Sequence, residues 1–209
     1  MATAKAPPFQ VQRAEFVAAA RRSAELPPPT KIEIAFVGRS NVGKSSLLNK
    51  LLNRRGLART SSTPGCTRQI NFFDVKAARG LELLLVDLPG YGYASRSKKE
   101  REEWADLIEQ YLLERATLRA AAVLFDARRG LEADDADAVK LVTQHGRVSR
   151  QAPQVVLVAT KLDKVPARSR PKLEGLRIDG RRVVPFSTEQ AETTDAVWRA
   201  LLRAADLKA

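Results

Sequence analysis

"IEIAFVGRSNVGKSSLLNKLL", residues 32–52, decides the fold. Residues 32–38 are rich in β-branched and aromatic side chains and read as a strand. From Lys44 to about Arg55, Leu47, Leu48, Leu51 and Leu52 fall on one side, which predicts a helix. Between them "GRSNVGKS" (38–45) matches G-x-x-x-x-G-K-[ST] in a strand-to-helix setting. Gly38 and Gly43 permit a backbone that turns N–H groups inward, and the helix N-terminus adds a positive dipole. Such a loop binds a chain of phosphates, walled here by Arg39, Ser40, Asn41 and Val42. The Lys44 ammonium can reach the β- and γ-phosphates, and the Ser45 hydroxyl can join a Mg²⁺ shell.

Outward from this stretch, strands and helices alternate. "INFFDV" (70–75) and "LELLLVDL" (81–88) are strands too close for a crossover, so they form an antiparallel hairpin. Trp104, Leu107, Ile108, Tyr111 and Leu112 mark a helix over 98–115. Strands follow at 120–127, 154–160 and 182–187, with helices near 133–144 and 191–205; residues 164–181 give no clear signal. The pattern is α/β, a mostly parallel sheet with helices on both faces and ligands at the carboxyl ends of the strands. Residues 1–30 read as a leader, with "AEFVAAARRSAEL" (14–26) as a short helix using Phe16, Val17 and Leu26 and stopped by "PPP" (27–29). The domain proper is then 31–209.

Three further motifs fall at strand ends. In "DLPG" (87–90), Asp87 can act on Mg²⁺ and the Gly90 N–H can meet the γ-phosphate, with Leu88 and Pro89 between them. In "TKLD" (Thr160, Lys161, Leu162, Asp163), the carboxylate can accept N1–H and the 2-amino group of guanine, donors that adenine lacks. The Lys161 stem can pack along the base. In "FST" (Phe186, Ser187, Thr188), backbone N–H groups near Ser187 and Thr188 can receive guanine O6. "SSTPGCTRQINFF" (61–73) reads as a loop entering the hairpin, and a threonine there can complete the Mg²⁺ shell when a γ-phosphate is present.

Net charge is +12, and the first 30 residues hold four cations against two carboxylates, so ten of the twelve charges lie on 31–209. A basic body of this kind favours polyanions, either nucleic acid or anionic membrane. Cys66 is the single cysteine, which excludes an internal disulfide and a cysteine metal site. No apolar run approaches the roughly 18 residues of a membrane span. A cytoplasmic location is the expectation. The single histidine, His145, suits a helix end, and Asp134, Asp135 and Asp137 suit a helix N-terminus rather than a metal cluster.

Together, "GRSNVGKSSLLN", "TPGCTRQINFF", "DLPGYGYA" and "TKLDK" resemble the EngB-type GTPases of the TrmE, Era, EngA and septin class. The resemblance implies a Ras-like fold with a six-stranded mixed sheet, binding of GTP/GDP and Mg²⁺, and slow GTP hydrolysis. It implies a role in large ribosomal subunit assembly, linked to cell division and septation. The partners it implies are that subunit and its RNA, for a monomer without a stable membrane anchor. It makes Lys44, Thr67 and Gly90 the catalytic set, and Ser45, Thr67 and Asp87 the Mg²⁺ ligands. Gly65, Cys66, Thr67, Arg68 and Gln69 then line the γ-phosphate, and Asn41 helps hold a K⁺ ion.

The chain departs from the family pattern in two places. Cys66 stands where a basic residue is usual, and Glu189 and Gln190 follow Thr188 where a lysine is common. Tyr91 stands where many such proteins orient water with a glutamine, and it has no amide to do so. Slow hydrolysis with external acceleration is expected. Alternatively, Tyr91, Tyr93 and "SRSKKER" (95–101) form a docking patch for RNA. Two other classes remain open: an RNA-binding module with a vestigial nucleotide site, and a phosphotransferase acting on a small metabolite.

Overall fold

The structure, a computed structural model, describes residues 9–58, 69–91, 98–144 and 152–207. Its strands are β1 (Val11–Ala20), β2 (Glu33–Gly38), β3 (Ile70–Ala77), β4 (Glu82–Asp87), β5 (Leu118–Asp126), β6 (Gln154–Thr160), β7 (Arg177–Ile178) and β8 (Arg181–Pro185). Its helices are α1 (Lys44–Leu51), α2 (Lys98–Glu114), α3 (Ala133–Thr143) and α4 (Ala191–Ala204). One sheet holds all eight strands in the order β1-β3-β4-β2-β5-β6-β8-β7. The run β4-β2-β5-β6-β8 is parallel. The hairpin β3/β4 is antiparallel, as its short connection requires.

Two expectations need correction. The sheet has eight strands where the resemblance implied six. The helix expected over 14–26 is strand β1, antiparallel to β3, followed by a single 3₁₀ turn at Ser23–Glu25. Alanine-rich sequence favours a helix locally, but the open edge of β3 offers a ladder of backbone partners and buries Ala14 and Ala20. Residues 11–20 therefore complete the sheet edge rather than standing apart from the domain. The unassigned stretch 164–181 holds 3₁₀ turns at Leu162–Lys164 and Ala167–Lys172 and then β7.

The sheet separates two cores. On β2, Ile34 and Phe36 pack with Leu47, Leu48 and Leu51 of α1 and Trp198 and Leu201 of α4. Ala35 and Val37 face the other way, toward Leu107, Ile108 and Tyr111 of α2 and Val139 and Val142 of α3. A strand buried on both faces explains why 33–38 reads as an unbroken apolar run apart from Glu33. No helix among the described residues is long and apolar enough to cross a membrane.

Candidate functional site

The parallel strands β2, β4, β5, β6 and β8 aim their carboxyl ends at one edge of the sheet, and the quoted motifs meet there. Residues 39–43 wrap from β2 into α1 with Asn41 at φ +61 and Gly43 at φ +106. The left-handed turn at Gly43 favours glycine. A β-carbon on Gly38 would sit 2.9 Å from Val42 Cγ1 and 3.1 Å from Leu124 Cβ, so only glycine lets the loop lie this close to β5. Ser40 N–H donates to the Tyr91 carbonyl at 3.2 Å, and Val42 N–H donates to the Arg39 carbonyl at 3.2 Å. These two N–H groups hold the loop rather than face a ligand. The N–H groups of Gly43, Lys44 and Ser45 have no partner among the described residues and crown the helix N-terminus. An anion fits there.

Lys44 and Asp87 lie side by side. The ammonium bonds Asp87 Oδ1, and both side chains are nearly buried. Asp87 Oδ2 has no partner among the described residues. A buried carboxylate oxygen without a donor beside the Ser45 turn suits a hard cation. Among the described residues no cluster of three or more His, Cys, Asp or Glu side chains could hold a metal. One carboxylate, one hydroxyl and phosphate oxygens match the way Mg²⁺ is usually held. Gly90 packs directly on the phosphate loop: a β-carbon there would lie 2.8 Å from Ser40 Oγ and 3.0 Å from Ser40 N.

At the other end of the cleft, Lys161 Nζ donates to the Asn41 carbonyl at 2.7 Å and lies 3.2 Å from Asp126 Oδ2. Thr160 Oγ1 is 2.5 Å from the Val42 carbonyl and 3.0 Å from the Phe125 carbonyl. The "TKLD" segment is thus stitched to the phosphate loop. Ser187 Oγ donates to Asp163 Oδ1 at 3.1 Å, bringing the last motif to the third. The Ser187 N–H, however, goes to Thr193 Oγ1 of α4 at 3.1 Å, so a base carbonyl is left with Thr188, whose N–H has no partner among the described residues. Thr160, Leu162 and Phe186 are buried scaffold, as are Val42, Leu88 and Pro89. Lys161, Asp163 and Thr188 are the open positions of these two motifs, and the buried Ser187 acts through its hydroxyl on Asp163. Gln69 turns its amide to Asn71 Oδ1 (2.9 Å) and Arg21 Nε (3.4 Å). Gly65, Cys66, Thr67, Arg68, Tyr93 and His145 lie outside the described residues.

This geometry agrees with the comparisons to known proteins. Residues 33–161 match the family described as 50S ribosome-binding GTPase. The chain is 45% identical over 208 residues to the probable GTP-binding protein EngB of Anaeromyxobacter sp. (strain Fw109-5), covering 95% of this chain and 94% of that protein. It is 40% identical over 201 residues to the same-named protein of Exiguobacterium sibiricum, covering 93% and 99%. The chain belongs to the EngB family of GTPases. Two solved structures share its fold. One is a probable GTP-binding protein engB (TM-score 0.58, 19% identity, 83% of this chain and 98% of that one). The other is Aquifex aeolicus Era bound to GDP and AlF₄⁻ (TM-score 0.61, 23% identity, 82% and 56%). As an EngB-family member the chain binds GTP and GDP and hydrolyses GTP.

In this EngB chain the structure assigns Tyr91 a place. Its hydroxyl donates to Asp135 Oδ1 of α3 at 2.6 Å. Burial first, and the Asp135 bond second, push the phenol well above its usual pKa, so it remains a donor. Asp135 Oδ2 accepts the Glu132 N–H at 3.0 Å, closing a capping box on α3. Arg39 of the phosphate loop bonds Glu132 of the same box. The Tyr91 hydroxyl is therefore engaged within the fold and is not offered to a partner. The acidic run 134–137 is a helix start, as its pattern implies. Removing the hydroxyl in Tyr91→Phe should cost about 1.5–3 kcal/mol, the range for a hydrogen bond to a charged group. Urea unfolding checks it, with little change expected in GDP affinity.

Asp126 carries no motif signal in the sequence, and Arg128 is legible there only as one of several arginines that could meet phosphate; the structure pairs the two. The Arg128 guanidinium, above all, holds the Asp126 carboxyl well below the usual range, and Lys161 adds to this. Asp126 thereby stays charged and fixes the Lys161 stem beside the base region. A carboxylate at the end of β5, two residues before an arginine, is the only local signal for it.

Proposed function

We propose that the chain is a GTP-dependent switch in assembly of the large ribosomal subunit, linked to normal cell division and septation. The pairing of the Asp163 carboxylate with a bare helix N-terminus at one sheet edge carries the nucleotide part of this reading. The ribosomal part is supported by the 50S ribosome-binding family to which the chain belongs. In this reading Lys44 and the N–H groups of residues 43–45 hold the β- and γ-phosphates, while Gly90 brings its N–H to the γ-phosphate. Ser45, Thr67 and Asp87 hold Mg²⁺, which neutralises charge on the phosphates. Thr67 and its neighbours 65–69 report the γ-phosphate, and Asn41 helps hold a K⁺ ion. With the Tyr91 hydroxyl bound to Asp135, position 91 does not orient the attacking water. Intrinsic hydrolysis is slow, and a partner accelerates it. The protein works in the cytoplasm as a monomer.

Co-sedimentation with purified large subunits tests this reading. Binding with a non-hydrolysable GTP analogue, weaker with GDP and lost in the Asp163→Asn variant, is the expected result. Equal binding in both nucleotide states at every salt concentration would sink the switch.

A further inference from the structure

At the opposite end of the sheet, a groove of about 920 Å³ opens between α4 and the amino ends of β5, β6 and β8. Arg119, Arg181, Arg182, Arg199 and Arg203 line it, with Asp206 as the one acid. None of the five arginines makes an ion pair or a side-chain hydrogen bond among the described residues. Four of them are exposed and Arg181 is half-buried. Val156 and Val184 of the sheet and Ala196 and Ala200 of α4 add apolar lining beneath them.

Like charges gathered in one concavity repel each other, and among the described residues that line it only Asp206 offsets them. A solvated basic surface does not need an apolar floor beneath its guanidiniums. Phosphates need the first feature, and bases or riboses suit the second. Guanidinium forks pair with phosphate oxygens, and their planes stack on bases. A charged trench with stacking surfaces is how single-stranded nucleic acid is held without reading its sequence.

We propose that this groove anchors a single strand of RNA, with the five arginines on its phosphates. The proposal rests on the ribosomal reading above and adds to it a second contact, remote from the nucleotide. Arg119 and Asp126 sit seven residues apart on β5, which places the groove roughly 23 Å from the guanine end. The groove shares no residue with the phosphate loop or the loop at 87–91. It therefore binds RNA in both nucleotide states, and a nucleotide-sensitive contact elsewhere adds to it through a raised effective concentration.

The test uses the full chain and a labelled, unstructured 16-nucleotide RNA, titrated by fluorescence anisotropy from 50 to 200 mM KCl. The variant is Arg119→Gln, Arg182→Gln and Arg199→Gln together, three exposed side chains with no role in the core. The wild type should bind alike with GDP and with a GTP analogue. The variant should lose about ten-fold or more in affinity, and its salt slope should flatten by about 2, from about 0.7 per phosphate on a single strand. A control of Lys50→Gln, Arg54→Gln and Arg55→Gln removes the same charge elsewhere and should bind RNA as the wild type does. GDP affinity and melting temperature should be unchanged in both.

Unaltered RNA binding in the groove variant overturns the proposal. So does an equal loss in the control, which would reduce the effect to net charge. Preference for phosphatidylglycerol vesicles over RNA overturns it in favour of a membrane. Loss of RNA binding in the groove variant supports the groove even if whole subunits fail to co-sediment, in which case the assembly reading alone falls. GTP-dependent subunit binding that the groove variant leaves intact keeps the switch and overturns the anchor.

Discussion

Asp163→Asn is expected to weaken GDP and GTP binding by about 30- to 1,000-fold and to bring in xanthine nucleotides. In the proposed reading the carboxylate accepts two hydrogen bonds from guanine, at N1–H and at the 2-amino group. Each bond to a charged acceptor is worth about 1.5–3 kcal/mol. An asparagine keeps one acceptor but turns an NH₂ toward the 2-amino group, donor against donor. One bond is lost and the other loses its charge, a change of about 2–4 kcal/mol, at 1.4 kcal/mol per decade. Xanthine carries a carbonyl at that position, which the new NH₂ can meet. The Ser187 hydroxyl that donates to Oδ1 at 3.1 Å can donate to the asparagine oxygen as well, so the side chain keeps its orientation. Calorimetric titration with GDP and the xanthine diphosphate reads both halves of the exchange. Wild-type GDP affinity in the variant would remove Asp163 from base recognition.

The residues proposed to carry this site are legible because each lies in a short, ordered motif at a strand end. Lys44, Asp87 and Asp163 could be named from spacing alone. What spacing could not give is the division of labour within each motif. Val42, Thr160, Leu162 and Phe186 sit in the motifs but are buried as scaffold. The Ser187 N–H goes to Thr193 and the Ser40 N–H to Tyr91, a choice set by where neighbouring segments lie. Tyr91 found its partner 44 residues away, and Arg39 found Glu132 93 residues away. No local pattern encodes such pairs.

The fold shows the same boundary. Strands β2, β5 and β6 are buried on both faces, so their apolar runs stand out. β1 is a sheet edge with register shifts between Val11 and Arg13 and between Phe16 and Ala18. Those shifts break the period of two that would have marked a strand, and its alanines then pointed to a helix. β7 does carry a local signal. Asp179 and Gly180, at φ +49 and +76, form the two-residue turn into β8, and an Asp-Gly pair is a strong short-range sign of a hairpin.

Arg115→Met should destabilise the protein by about 3–5 kcal/mol, the cost of leaving a buried charge unpaired. Glu33, the first residue of β2, is fully buried. Arg115 Nε donates to its two oxygens at 2.9 and 3.0 Å, and Nη2 donates to Oε1 at 2.7 Å. Tyr111 and Thr117 hydroxyls donate at 2.8 and 2.9 Å. The guanidinium also lies 5.7 Å from the centre of the Phe72 ring. The cluster ties the last turn of α2 to the amino end of β2, far from the phosphate loop. In the variant the carboxylate keeps only two hydroxyl donors. For a chain of this size the loss corresponds to a melting temperature lower by about 6–20 °C. Glu33→Leu with Arg115→Met should recover part of it, because neither charge is then buried. Recovery stays partial because the Tyr111 and Thr117 hydroxyls lose their acceptor. A double-mutant cycle in urea separates these contributions. A cost under 1 kcal/mol for the single change would mean that water reaches Glu33. Unaltered GDP affinity in the folded variant would show that this cluster serves stability and not the nucleotide site.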